Sequence, residues 1–138
     1  MKVILGIIFL VLIIAVVIFL KKPKALFQEE GKFVGTRTDN QGGIEIAVTP
    51  QKISKGERAV FTVVFTTHTG DLNFDLIKIA TLNLDGEILK PIAWDGGSGG
   101  HHLEGALTFD QLKKISDKIV LEMEDIGGFR RSFVWQKI

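Results

Sequence analysis

Ala59-Val60-Phe61-Thr62-Val63-Val64-Phe65-Thr66-Thr67 decides the fold of this chain. Phe61, Val63 and Phe65 point to one side of an extended backbone, and Thr62, Val64 and Thr66 to the other. Strict alternation of β-branched and aromatic residues is the mark of a half-buried strand. Upstream, Ile44, Ile46 and Val48 alternate with Glu45, Ala47 and Thr49, a second strand expected to end at Pro50, and Ser54-Lys55-Gly56-Glu57 reads as the turn between the two.

Downstream, His68-Thr69-Gly70-Asp71 is a turn, and Leu72, Phe74 and Leu76 suggest a short strand, with residues 75–80 open to a single helical turn instead. Residues 81–84 and 88–94 flank Asp85-Gly86, a two-residue hairpin signal. Asp95-Gly96-Gly97-Ser98-Gly99-Gly100-His101-His102 is loop, and Leu103, Leu107 and Phe109 carry the following strand. Residues 110–115 suit one helical turn capped by Asp110. Ile119, Leu121 and Met123 mark another strand, Gly127-Gly128 turns the chain, and Phe129, Phe133 and Trp135 belong to the last strand. Seven or eight short strands with frequent turns and no long amphipathic helix predict an all-β antiparallel sandwich, with an up-and-down barrel as the alternative.

The other distinctive stretch is VILGIIFLVLIIAVVIFL over residues 3–20, which holds no charged or polar side chain. A helix of that length reaches roughly 27 Å, close to the hydrocarbon thickness of a bilayer. The run is longer than a signal-peptide core, and it meets Lys21, Lys22 and Lys24 rather than a small-residue cleavage site. The expectation is an uncleaved single-span anchor over residues 1–22, a tether over 23–43 and a sandwich domain over 44–138. Phe27, Phe33 and Val34 interrupt the tether and are expected to dock on the domain or the membrane surface. The lysines after the span argue for a cytoplasmic domain by the positive-inside rule. The short segment before the span reads as a signal-anchor that exports the domain C-terminal to it, and the extracytoplasmic orientation is preferred.

Formal charge is +1 over 138 residues. Lys2, Lys21, Lys22 and Lys24 flank the apolar run, which leaves 13 basic and 16 acidic residues for the remainder. No basic stripe interleaved with aromatics appears, so nucleic acid is not an expected partner. The absence of cysteine removes disulfides, cysteine-based zinc sites and thiol catalysis.

Gly42-Gly43 with Val48-Thr49-Pro50, Thr67-His68-Thr69 with Phe74-Asp75-Leu76, Trp94-Asp95-Gly96 with Gly99-Gly100-His101-His102 and Gly105, and Asp125-Ile126-Gly127-Gly128 form an ordered pattern. It resembles a family of small, exported, membrane-attached prokaryotic β-domains without an assigned activity. The resemblance implies an immunoglobulin-like domain outside the cytoplasm, and no reaction.

His68, His101 and His102, with Asp71, Asp75, Asp95 and Glu104 close in sequence, are the residues on which chemistry could rest. Neutral imidazoles with a carboxylate suit Zn²⁺ or Cu²⁺, and loops at one end of a sandwich can converge. Neighbouring strand residues face opposite ways, so both adjacent histidines reach one metal only if the chain bends at Gly100. The competing reading makes the histidines loop architecture. The glycine loop lacks the phosphate-loop pattern, and Ser98 lacks the nucleophile-elbow context. Asp95 and Glu104 form one carboxylate pair among many, Trp94 and Trp135 are read as core, and Arg130-Arg131 as a sheet edge or solvated face. The functional expectation is a non-enzymatic binding or accessory module of the cell envelope, engaging the bilayer through its helix and an envelope protein through a sheet edge or the glycine loop. A metal-binding protein is the alternative.

Overall fold

The alternation of residues 59–67 forms the centre of a two-layer molecule. The computed structural model describes residues 32–138. In chain order its elements are β1 (Arg37–Gln41), β2 (Ile44–Lys52), β3 (Arg58–Thr67), a one-turn helix α1 (Leu76–Ile79), β4 (Ala80–Leu84), β5 (Glu87–Leu89), β6 (Pro91–Trp94), β7 (His102–Gln111), β8 (Lys118–Ile126) and β9 (Phe129–Gln136). Five strands form one sheet in the order β1-β2-β3-β7-β6, and four form the other in the order β5-β4-β8-β9. Every strand pairing is antiparallel. Two separate sheets make the fold an all-β sandwich and not a closed barrel.

The core is the inward half of each alternation. Ile46, Val48, Phe61, Val63, Phe65, Leu107 and Phe109 from the larger sheet meet Leu82, Leu84, Ile119, Leu121, Met123, Phe133 and Trp135 from the smaller, all nearly or fully buried. Aromatic packing runs within and between the layers: Phe61 lies edge-on to Phe109 of its own sheet at 6.0 Å and tilted against Trp135 of the other at 5.5 Å. Trp135 also donates from Nε1 to the Gly35 carbonyl at 2.7 Å, which ties the incoming chain to β9. Phe33 is buried at the same entry, and Val34 is exposed.

Several local expectations are revised. The stretch read as a tether carries β1, which folds back on β2 through Gly42 and Gly43, both at positive φ. Pro50 does not end β2 but pairs with Phe61 just before a bulge. The pairing of β1 with β2 stops at Arg37 opposite Val48, so the outer edge of β2 beyond that point is open and a residue without an N–H is tolerated there. Asp85 (φ 49°) and Gly86 (φ 86°) do make the expected two-residue turn. The strand expected after it over 88–94 breaks at Lys90: β5 stays with β4, whereas β6 crosses to pair with β7 from Pro91 onward. Residues 72–76 form no strand. Of the two readings of residues 75–80, the helical turn α1 is present, with the Asp75 carboxylate accepting from the Ile77 N–H. No helical turn follows Asp110, because β7 runs on to Gln111 and Leu112 then bridges to Lys55.

The apolar run of residues 3–20, its basic flank and Phe27 lie outside the described residues. Among the described residues no helix is long and apolar enough to cross a membrane.

Candidate functional site

Strand direction sorts the loops into two groups. β3 ends at Thr67, β7 begins at His102 beside Thr66, and the Gly42-Gly43 and Gly127-Gly128 turns reach the same end. This end, the tip, holds the loops 68–75 and 95–101. The chain enters at the opposite end, the base, where Lys32 exchanges two backbone hydrogen bonds of 3.1 Å with Ile138.

The two tip loops are zipped together by their backbones. Thr67 N–H donates to the His101 carbonyl at 2.9 Å, Leu72 N–H to the Gly100 carbonyl at 2.9 Å, and Gly99 N–H to the Leu72 carbonyl at 2.7 Å. Side chains finish the lacing. The Asp71 carboxylate accepts from the Gly100 N–H, the Asp95 carboxylate accepts from the Ala106 N–H at 2.5 Å, and Trp94 Nε1 donates to the Gly97 carbonyl at 2.8 Å. The Thr67 hydroxyl shares its one proton between the Gly43 and Thr69 carbonyls, joining the β1–β2 turn to the cluster. Glycine is demanded at one crossing in particular. A Cβ on Gly105 would lie 2.4 Å from the Gly96 nitrogen, so β7 lets the loop pass directly over it.

Between these loops and the start of α1 lies a shallow, open groove of about 400 Å³, lined by Asn73, Phe74, Asp75, Trp94, Gly97 and Ser98. Phe74 and Trp94 are half-buried and both lean on the core ring of Phe65, at 4.8 and 6.2 Å between centroids. The groove therefore has an apolar floor fixed from beneath and polar groups along its walls.

Each expected site residue can be placed. His68 and His101 are exposed in the tip loops. His102 and Glu104 lie two residues apart on the outward face of β7, with 4.0 Å between His102 Nε2 and the carboxylate, and His102 Nδ1 lies 3.3 Å from Thr66 Oγ1. Asp95 is turned to the backbone of β7. The topology thus places all three histidines at one end, but among the described residues no three His, Cys, Asp or Glu groups approach closely enough to hold a metal ion.

Arg130-Arg131 lies on the edge strand β9, as expected, and the correction concerns the solvation of Arg131 alone. Arg130 is outward and bonded to Glu122 at 2.7 Å, a contact that raises its pKa further. Arg131 is not a solvated side chain: it is fully buried beneath the tip. Its guanidinium pairs with Asp39 of β1 and donates to the carbonyls of Gln41 (2.6 Å), Ile126 (3.1 Å) and Ile44 (3.4 Å). The signal was present in the sequence, since Arg131 stands two and four residues before Phe133 and Trp135, on the inward parity. Trp135 is core as expected, whereas Trp94 borders the groove.

Compared with family models, curated proteins and solved structures, the chain matches none of them.

Proposed function

We propose that this chain is a membrane-anchored, immunoglobulin-like module that binds a protein of the cell envelope through the groove at its tip, without catalysing a reaction. The strand order supports the immunoglobulin comparison: β2-β3-β7-β6 against β5-β4-β8-β9 follows the ABED and C′CFG sheets of that fold, with β1 added at one edge. The anchor and the extracytoplasmic placement rest on the 18-residue apolar run and the motif resemblance. Entry of the chain at the base sets the tip about 30 Å away, at roughly 3.3 Å per strand residue.

The reading rests on the tip surface, a shallow, open groove with Phe74 and Trp94 on its floor, between loops held by backbone hydrogen bonds before any partner arrives. Little ordering entropy is left for binding to overcome. The sheet edges are poorer docking sites. β5 has three residues, β6 has four with Pro91 and a bulge, and the remaining two edges, β1 and β9, lie beside each other with Arg37 of β1 bonded to the Val134 carbonyl of β9. Short, proline-bearing and bulged edges discourage strand addition. Asp71 and Asp95 accept from backbone amides, and Asp75, which lines the groove, caps α1 and pairs with Lys78, so each of these carboxylates serves the loop structure.

A photoreactive amino acid at Ser98 of the full chain, in native membranes, is expected to crosslink one envelope protein, whereas the same group at Ile92 on β6 yields none. Crosslinking from Ile92 and not from Ser98 would move the binding site to the sheet edge.

A second reading, a Zn²⁺ or Cu²⁺ site at the tip, has the His102–Glu104 pair in its favour. Calorimetric titration of the protein and of a His101→Ala/His102→Ala variant decides it. Stoichiometric binding at micromolar affinity (about −8 kcal/mol), lost in the variant, establishes the site, and no heat in either protein leaves the histidines as architecture.

A further inference from the structure

The base of the sandwich carries the opposite charge to its tip. Lys32, Lys55, Arg58, Lys113, Lys118 and Lys137 all stand at or beside the basal ends of strands, all exposed. None has a carboxylate within 4.0 Å among the described residues. Lys52 and Lys114 add to the same end while pairing with Glu57 and Glu87. Asp85, Asp110 and Asp117 are the remaining carboxylate side chains at the base, so among side chains cations predominate. At the tip the balance reverses: Lys78, Arg130 and Arg131 are each paired with a carboxylate, Lys90 bonds the Lys78 carbonyl, and Glu45, Asp71, Asp95, Glu104 and Asp125 outnumber these four. Exposed Val34 (48%) and Ile138 (76%) accompany the basal cations.

The chain reaches this basic end from the 31 residues outside the described structure, which include the apolar run and the cluster Lys21, Lys22 and Lys24. From the charge of the base and its position at the entry point, we infer that the base docks on the anionic headgroups of the bilayer holding the anchor. This rests on the membrane-anchor reading. Clustered lysines next to a span are attracted to anionic lipid within a Debye length of the surface. Phosphate oxygens supply the counter-charges that the basal lysines lack within the protein, and the acidic tip is repelled from the same surface. Docking therefore holds the sandwich upright, with its groove directed away from the membrane.

The test uses full-length protein in nanodiscs of phosphatidylcholine alone or mixed with phosphatidylglycerol. The chain has no cysteine, so Ser54→Cys at the base and Thr69→Cys at the tip each give a single fluorophore site. Headgroup nitroxide lipid is expected to quench the basal label several-fold more than the tip label in anionic nanodiscs. That excess should fall in neutral nanodiscs, in high salt and in a Lys55→Gln/Lys113→Gln/Lys118→Gln variant. Basal quenching that ignores lipid charge, salt and the triple substitution reflects tethering alone and overturns the inference. So does an absence of quenching in anionic nanodiscs, which would assign the lysines to solvent or to an acidic protein. Protein that fails to co-purify with the nanodisc overturns the anchor reading and the docking together, whereas co-purification without basal quenching overturns only the docking.

Discussion

Asp39→Ala is expected to destabilise the domain by about 3–5 kcal/mol, the range for removing one partner of a buried ion pair. The Arg131 side chain is 0% exposed and Asp39 is its carboxylate partner, so the substitution strands a full charge between the sheets. The two partners are not equivalent. Asp39 keeps 24% of its side chain exposed, so after Arg131→Met water can solvate the remaining charge. That single change is expected to cost less than Asp39→Ala, although it also deprives the Gln41, Ile44 and Ile126 carbonyls of their donor. The double variant should recover part of the loss of Asp39→Ala, since an apolar side chain then fills the space without a charge to solvate. Chemical denaturation of the three variants measures this. A loss below about 1 kcal/mol for Asp39→Ala would place the pair among ordinary surface salt bridges and refute its burial.

Gly105→Ala is expected to cost about 1–3 kcal/mol, the usual scale of overpacking, and to open the groove as well. The added Cβ would lie 2.4 Å from the Gly96 nitrogen, 2.5 Å from its Cα and 2.6 Å from Asp95 Oδ1. Two of those three atoms are backbone, so no rotamer change relieves the contact and the loop must lift from β7. The Asp95 bond to Ala106 then breaks and Trp94 loses its fixed position. Hydrogen exchange in residues 95–106 should accelerate, and the crosslink from Ser98 should fade. Gly56→Ala is a useful comparison: its Cβ meets nothing within 4 Å, and it bears only the strain of φ +79°. Equal losses in the two variants, with no faster exchange around Gly105, would show that the loop crosses β7 with room to spare.

What the sequence alone determined is local or periodic. β3, β7 and β8 were legible because their alternation is a property of neighbouring residues on an extended chain, whatever lies across from them. The Asp85-Gly86 turn was legible because both of its residues tolerate positive φ. The gathering of the histidines at one end follows once strands alternate in direction. Tertiary structure decided the rest. The limb after the hairpin reads as one strand, yet Pro91 sits where the chain leaves one sheet for the other, and only the partners available on each side settle the break. Arg131 has the parity of a core residue and the composition of a surface one. Its burial became acceptable only because Asp39, 92 residues earlier, arrives opposite it on β1. Asp71 and Asp95 resemble ligands in the sequence because a free carboxylate suits a metal or a proton. In the fold each meets a backbone N–H brought by another segment, and that long-range meeting makes both carboxylates fasteners of the tip loops.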